Sequence, residues 1–454
     1  MRIRGHNTLA NNRTGGAAKP ASAPVYEIAK TIASDTWQET EVIRDRDALF
    51  VQREFHPRGK HRDDRVVEAF GTDAPHSGDA LLHFAGPAKG DTVKTPVLLV
   101  HGANKNGHFF WDPKEDGSNK GLAQRLTDEG HPTYAVTFAH NQDDNFVWAE
   151  QIANAIAEIK KDTGADKVDL VAHSKGGVAA RIYTSDVRKE GVESTPYQND
   201  VRRLVLVGSP NKGVDYTFRH PSANYALTQA SNEPMLNAPV SWEKMGAFPF
   251  FKNVSDQGFG AEEPDYFPGQ RQLLANLSQE HSLSMVEPDW YTTYHGGVGF
   301  SSTSKGIDYY VEQGENVIAR LNDNPPNSDI EVAVLAGNRA NIPGILNEYT
   351  GPSDGLVFVD SALEMPEGTN LVAQDVLPLH HKALISDPKG QDWIADAVGS
   401  DTPDKKSDFI TILTRARQEW IPEKVQEKAL SQVKTLSQLT GQPDVGDNLI
   451  LPMV

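Results

Sequence analysis

Two serines sit in the five-residue setting that can present a nucleophile. Gly351-Pro352-Ser353-Asp354-Gly355 matches Gly-x-Ser-x-Gly literally, and Ala172-His173-Ser174-Lys175-Gly176 matches it with Ala in first place. An activated serine needs an entering strand, a tight turn that lifts its oxygen off the sheet, and a departing helix whose first N–H groups face the reacting oxygen. Only Ser174 has that context. Lys167-Val168-Asp169-Leu170-Val171 reads as the entering strand, Gly176-Gly177 lets the next element pack close, and residues 178–187 read as the helix. Around Ser353 the order is reversed, with Pro352 inside the pattern and Leu356-Val357-Phe358-Val359 reading as a strand that follows it.

A serine nucleophile needs a base, and the base needs an acid to orient it; of the chain orders such triads take, serine, acid, histidine is the one checked here. Past a strand ending at Gly337 the first carboxylates are Glu348 and Asp354. Asp354 is the expected acid, because Pro352-Ser353-Asp354-Gly355 is a turn, although Asp is also at home in turns for purely local reasons. Asp360 and Asp375 are its rivals, one just after the expected 356–359 strand and one within the next strand. That next strand ends at Leu377-Pro378-Leu379, directly before His380-His381. His381 is favoured over His380 as the base, since Ala383-Leu384-Ile385 can anchor the loop that fixes its ring.

The developing oxyanion calls for two backbone N–H donors. Lys175, following the nucleophile, is one; Ala103 in His101-Gly102-Ala103, after the first strong strand, is the other. His101 and His173 read as structural histidines. Asp143-Asp144 and Glu262-Glu263 read as solvated charge, and no histidine or carboxylate spacing calls for a metal. With no cysteine in the chain, thiolate chemistry and disulfides are excluded.

These residues depend on elements that hold them at one edge. Residues 95–100, 133–139, 168–171, 201–207, 330–336 and 370–377 read as buried strands, and several alternate with helical stretches, which implies a mainly parallel sheet with helices on both faces. Ile152, Ile156 and Ile159 mark one face of a helix that starts after Asp143-Asp144 and ends before Gly164. From 25 to about 86 the signal is weak: Val42, Ile43, Leu49, Val51 and Phe55 hint at strands, as does 80–84. The expected organisation is a tail at 1–24, a core at 25–210 and 328–400, an aromatic-rich cap or lid insertion at 211–327, and amphipathic helices at 401–454 packing on the core. The insertion's aromatics, Trp290 and Phe300 among them, suit either its own small core or contact with an acyl chain.

The length of 454 residues allows about three domains or one large fold with insertions. With 44 Lys and Arg against 62 Asp and Glu, a net charge of −18 argues against nucleic acid as a partner. No run approaches the ~20 apolar residues of a membrane span. After Arg2 and Arg4 there is no apolar core of the kind an export signal carries, and the compartment is left open.

The segments VLLVHGA, VDLVAHSKGG, PSDGLVFVDSAL and LPLHHKALI resemble the bacterial lipases and esterases of the α/β-hydrolase superfamily, over about 95–210 and 330–398. The Ala-His-Ser box is similar to that of some small lipases and of certain polyhydroxyalkanoate depolymerases. The resemblance implies an α/β-hydrolase fold and hydrolysis of acyl esters, often lipidic and at a lipid or polymer surface, through an acyl-serine intermediate with no cofactor. In it Ser174 attacks, His381 is base and then acid, and Asp354 holds the imidazole. Lys175 departs from the Met or Gln usual there, which leaves substrate polarity open: its cation either helps the oxyanion or points to solvent. Polyester depolymerase or acyltransferase activity is the alternative on the same triad. A non-catalytic binding or effector module on this fold is the alternative of another kind.

Overall fold

A computed structural model of the chain describes residues 23–34, 36–47, 49–55, 59–86, 94–113, 117, 120–220, 252–253, 267–283, 290–298, 302–343, 347–399, 405–406 and 409–420. At its centre is a ten-stranded sheet in the order β1-β2-β3-β5-β4-β6-β7-β11-β12-β13. The strands are β1 (Glu27–Ile32), β2 (Glu39–Arg44), β3 (Asp79–Gly86), β4 (Val97–Val100), β5 (Thr133–Phe138), β6 (Val168–His173), β7 (Val201–Val207), β11 (Glu331–Gly337), β12 (Leu371–Leu377) and β13 (Lys405–Lys406). From β5 through β13 every pairing is parallel, while β1, β2, β3 and β5 pair antiparallel. A second, three-stranded sheet, β8 (Lys252–Asn253), β10 (Ser302–Ser304) and β9 (Gly297–Val298), lies within the insertion.

The central parallel strands are mainly apolar because both of their faces are covered. Leu98, Val100, Leu170, Ala172, Leu204 and Leu206 point into one layer, against α3 (Asn145–Thr163) and α4 (Lys175–Thr184). Their neighbours Val97, Leu99, Val171, Val205 and Val207 point the other way, against the 3₁₀ turn Gly107–Phe110, the helix Leu122–Asp128 and the helix Pro388–Gly399. Each such side chain taken fully out of water contributes about 1.5–3 kcal/mol, so the alternation fixes the strand register. That register aligns Val100 with Ala172, His173 with Val207, and Gly337 with Leu377. The carboxyl ends of β4, β6, β7, β11 and β12 therefore open at one edge.

Several expectations change in the folded chain. Asp143 and Asp144 are buried rather than solvated: Asp144 caps α3 by accepting from Phe146 N, and Asp143 accepts from Arg53 Nε at 2.9 Å. Glu262-Glu263 lies outside the described residues. The expected strand at 356–359 is a loop leading into the helix Val359–Leu363, because Asp354 Oδ1 takes the N–H groups of Leu356 (3.0 Å) and Val357 (2.9 Å) that a strand ladder would need. The stretch around Leu49, Val51 and Phe55 forms no strand; Phe50 N turns back to Asp47 O instead. The helix expected over 178–187 begins earlier, at Lys175.

Within the insertion, Phe218, Leu274, Tyr294, Ile307 and Tyr310 form a small core of their own, while Val317, Ile318 and Leu321 of the helix Val317–Asp323 join the main core beside α4. At the carboxyl end the helix Phe409–Glu419 lays Ile412 and Ala416 on the main core, and Arg415 reaches Asp375 at 3.0 Å. The amphipathic pattern expected beyond it, with Val425 and Leu430, lies outside the described residues.

Candidate active site

Ser174 occupies the turn between β6 and α4 with φ 56° and ψ −129°, a conformation that costs a non-glycine residue about 1–3 kcal/mol and survives only where its surroundings enforce it. Two glycines allow those surroundings. A Cβ on Gly176 would lie 2.5 Å from His101 O, and one on Gly177 would lie 1.9 Å from Ser209 Oγ, so α4 sits closer to its neighbours than any side chain would permit. Ser174 N donates to Val207 O at 3.0 Å, tying the turn to the next strand.

His381 reaches the same point from the loop after β12. Its Nε2 is 2.8 Å from Ser174 Oγ and its Nδ1 is 2.7 Å from Asp354 Oδ2. A carboxylate only accepts, so Nδ1 carries the proton and Nε2 is left as the acceptor for the serine O–H. The backbone repeats the pairing, with His381 N donating to Asp354 O at 2.9 Å. Asp354 is 1% exposed and His381 5%, against 9% for Ser174, so the charge pair is shielded and the hydroxyl is the member nearest solvent. Gly208, with φ 57°, passes so near that a Cβ there would lie 3.3 Å from both Asp354 Oδ2 and His381 Nδ1.

Of the rivals, His380 accepts from Ala383 N at 3.3 Å, Asp360 is bound by His281 Nε2 at 3.0 Å, and Asp375 is the partner of Arg415. Ser353 Oγ donates to Glu348 O at 2.7 Å and shapes the loop that carries Asp354.

The loop after β4 closes the other side. A Cβ on Gly102 would lie 2.7 Å from Ser174 Cβ, which places the backbone of Gly102 against the serine. Lys175 follows the serine directly, but its side chain does neither of the things expected of it. It is fully buried, its Nζ stands 3.1 Å from the centre of the Trp148 ring, and it has no hydrogen-bond partner. Burial drives its pKa well below the ordinary lysine value, and the nearby carboxylates of Asp143 and Asp144 offset only part of that. The amine thus lies over the Trp148 ring rather than in solvent.

Comparison with known proteins places this arrangement. The palmitoyl protein thioesterase family pattern matches residues 96–256. A triacylglycerol lipase of Pseudomonas fragi is 28% identical over 136 residues, 28% of this chain and 40% of the relative. A proline iminopeptidase of Lactobacillus delbrueckii subsp. bulgaricus is 24% identical over 103 residues, 23% of this chain and 35% of the relative. This chain thus spans well under half the length of these curated relatives. Among solved structures, a Bacillus licheniformis lipase in its propeptide form aligns with TM-score 0.40 at 16% identity, over 72% of this chain and 55% of that one. The chain has the α/β-hydrolase fold, with a mainly parallel sheet between helical layers. Over the matched stretches it resembles lipases and thioesterases.

As in the sequence-based expectation for an α/β-hydrolase, the serine, acid and histidine positions meet after three different strands. One histidine that was read as structural and two features that were not anticipated complete the site. His173 Nε2 contacts His381 O at 3.1 Å, and its ring centre lies 4.7 Å from that of His381, so it braces the loop that carries the imidazole. Burial, with the neighbouring His381 second, lowers its pKa well below the usual value, so it is a neutral donor. The other two are Gly208 and an amide chain through Gln142. The Ala-His-Ser triplet and the Gly-Ser-Pro after β7 carry local signals for His173 and Gly208; the amide chain has none.

Trp290 opens the helix Trp290–His295, and Phe300 lies outside the described residues. Among the described residues one carboxylate trio, Glu41, Glu158 and Asp162, is gathered closely enough to share an ion, and it includes no residue of this site. No helix among them is long and apolar enough to cross a membrane.

Proposed function

We propose that this α/β-hydrolase is a serine hydrolase of acyl esters, with Ser174 as nucleophile, His381 as general base and acid, and Asp354 as the carboxylate that orients it. The observation that carries the reading is the continuous chain from Asp354 through His381 to Ser174 Oγ, at 2.7 and 2.8 Å, on a serine held at positive φ. His381 Nε2 takes the hydroxyl proton as Oγ adds to the acyl carbon, and the carbonyl oxygen becomes an anion facing the N–H groups of Ala103 and Lys175. Collapse expels the alcohol, which leaves with the proton from Nε2. Water then adds to the acyl carbon as Nε2 takes its proton, and the bond to Oγ breaks as Nε2 returns that proton to it, releasing the acid and the free serine. Asp354 keeps the imidazole in the required tautomer and stabilises the imidazolium that forms at each addition.

Residues 211–327 are proposed to act as a cap over this edge, with Trp290 and Phe300 as candidates for acyl contact. The relatives named triacylglycerol lipase and the thioesterase pattern favour acyl esters or thioesters over polyesters. Hydrolysis of a p-nitrophenyl ester series from acetate to palmitate, with an acyl thioester alongside, tests the proposal. Ser174→Ala is expected to lower kcat/KM by about 10³-fold or more and to abolish covalent labelling by a fluorophosphonate. A wild-type protein that hydrolyses none of these and takes no label would overturn the reading.

A further inference from the structure

A chain of buried amides runs from the insertion to the loop that carries Ala103. Gln270, in the short helix Pro268–Arg271, donates from its side-chain amide to Gln142 Oε1, and Gln142 donates in turn to Asn104 Oδ1. Gln142 and Gln270 are each 1% exposed. Asn104 immediately follows Ala103 and stands at φ 56°, a left-handed conformation that asparagine tolerates better than most side chains. The backbone reinforces the link, since Gly269 N donates to Gln142 O at 3.2 Å.

The same segment reaches the other donor. Gly269 lies so close to the buried Lys175 side chain that a Cβ there would stand 2.5 Å from Lys175 Cε and 1.9 Å from Asp143 O. Asn145, at the start of α3, clamps it by donating to Gly269 O at 2.9 Å and by receiving Gln272 Oε1 on its backbone N–H at 2.7 Å. One stretch of the insertion thus bears on the residue after Ala103 through two amides and on Lys175 by direct contact.

We infer that residues 267–272 form a positioning element that sets the two oxyanion donors, with Gln270 and Gln142 as its positioning residues. This rests on the reading of Ala103 and Lys175 as the oxyanion donors. Hydrogen bonds to a charge that exists only in the transition state act on kcat rather than on substrate affinity, and they weaken steeply when the donors shift. The catalytic edge is then incomplete without the insertion, and any event that lifts 267–272 lowers turnover without touching Ser174 or His381.

The test uses the full chain, with rates counted per active site titrated by a fluorophosphonate. Gln270→Met and Gln142→Met, which keep length and lose the amide, are each expected to lower kcat about 10- to 50-fold with KM changed less than about twofold. Affinity for an alkylboronic acid, whose adduct on Ser174 places an oxygen at the oxyanion position, is expected to fall by the same factor. The double variant is expected to be no slower than the slower single one, because the relay acts as a unit. If Gln270→Met does not fold, Gln270→Asn, which withdraws the amide by one methylene, should show the same loss of kcat and boronate affinity. Unchanged kcat per titrated site and unchanged boronate affinity, or single losses that multiply in the double variant, would overturn the inference while leaving the hydrolase reading standing. A wild-type chain that neither turns over esters nor takes the label removes the hydrolase reading, and this inference with it.

Discussion

Lys175 carries two separable properties, a backbone N–H proposed as an oxyanion donor and a buried side chain whose amine stacks on Trp148 and meets no hydrogen-bond acceptor. An unpaired buried cation costs stability, because the unfolded chain keeps in water a charge that the fold disfavours. Its folded pKa lies well below the usual value through burial, so between the folded and unfolded pKa values the unfolded chain binds the extra proton and stability rises with pH. Lys175→Met removes that penalty while keeping most of the volume. The variant is expected to be more stable than wild type by at least about 1 kcal/mol at pH 7 in urea unfolding, with the gap narrowing towards pH 10. A gap that widens with pH, or a less stable variant, contradicts this account. Ser174, Asp354 and His381 were legible as residues because each stands in a distinctive local frame: a strand-turn-helix, a Pro-Ser-Asp-Gly turn, a strand end. The fate of the Lys175 side chain was not legible, nor was the burial of Asp143 and Asp144. Their environment is built by Gly269 and Gln272, which lie far away in sequence and reveal nothing by spacing.

At the scale of elements, the insertion is fastened to the acid-bearing loop by a buried charge network. Arg219 forks onto Asp215 at 3.1 Å and lies 3.5 Å from Glu348, while Tyr294 O–H donates to Asp215 at 2.7 Å. Glu348 also meets His220 Nε2 at 3.1 Å, and its backbone oxygen holds Ser353, the neighbour of Asp354. Burial alone would raise the Glu348 pKa, but His220 and Arg219 outweigh it and hold it at about 2. A carboxylate with a depressed folded pKa stabilises the fold above its unfolded value near 4.5, and that contribution fades as pH falls towards 2. Glu348→Gln is therefore expected to cost about 3 kcal/mol at pH 7, as the loss of one member of a buried ionic cluster does. In thermal melts the difference from wild type should shrink between pH 5 and pH 3; a difference independent of pH would refute the charged state assigned to Glu348. Aromatic composition marked the insertion, whereas the pairing of Arg219 with Glu348 joins its first helix to a loop beyond it. The expected 356–359 strand failed for a related reason: its apolar residues suit a strand, but the Asp354 carboxylate claims two of its N–H groups.

Across the whole molecule, the central parallel strands were legible because they are covered on both faces and read as largely apolar runs, whereas β13, in a stretch expected to be helical, was not. The antiparallel half gave only hints, at Val42 and Ile43 in β2 and at 80–84 in β3. In β1 and β2 charged residues alternate with apolar ones, since that edge is only partly covered. There Glu41 of β2 faces Glu158 and Asp162 of α3, three carboxylates gathered in a chain whose net charge is already −18. Half-burial and then the charges of Asp162 and Glu158 raise the Glu41 pKa to about 7. With the folded pKa above the unfolded one, the folded state holds a proton that the unfolded state releases first. Stability therefore falls as pH rises from about 4.5 to 7 and stays reduced above that. Glu41→Gln fixes the neutral form. It is expected to raise the melting temperature by about 1–3 °C at pH 8 and by nothing measurable at pH 4.5, with the gain at pH 8 smaller in 0.5 M salt because the repulsion is screened. An equal gain at both pH values would assign the effect to packing rather than to charge. A loss at pH 8 would mean that the trio is held together by a bound cation, because removing one ligand would then weaken a stabilising site instead of relieving a repulsion.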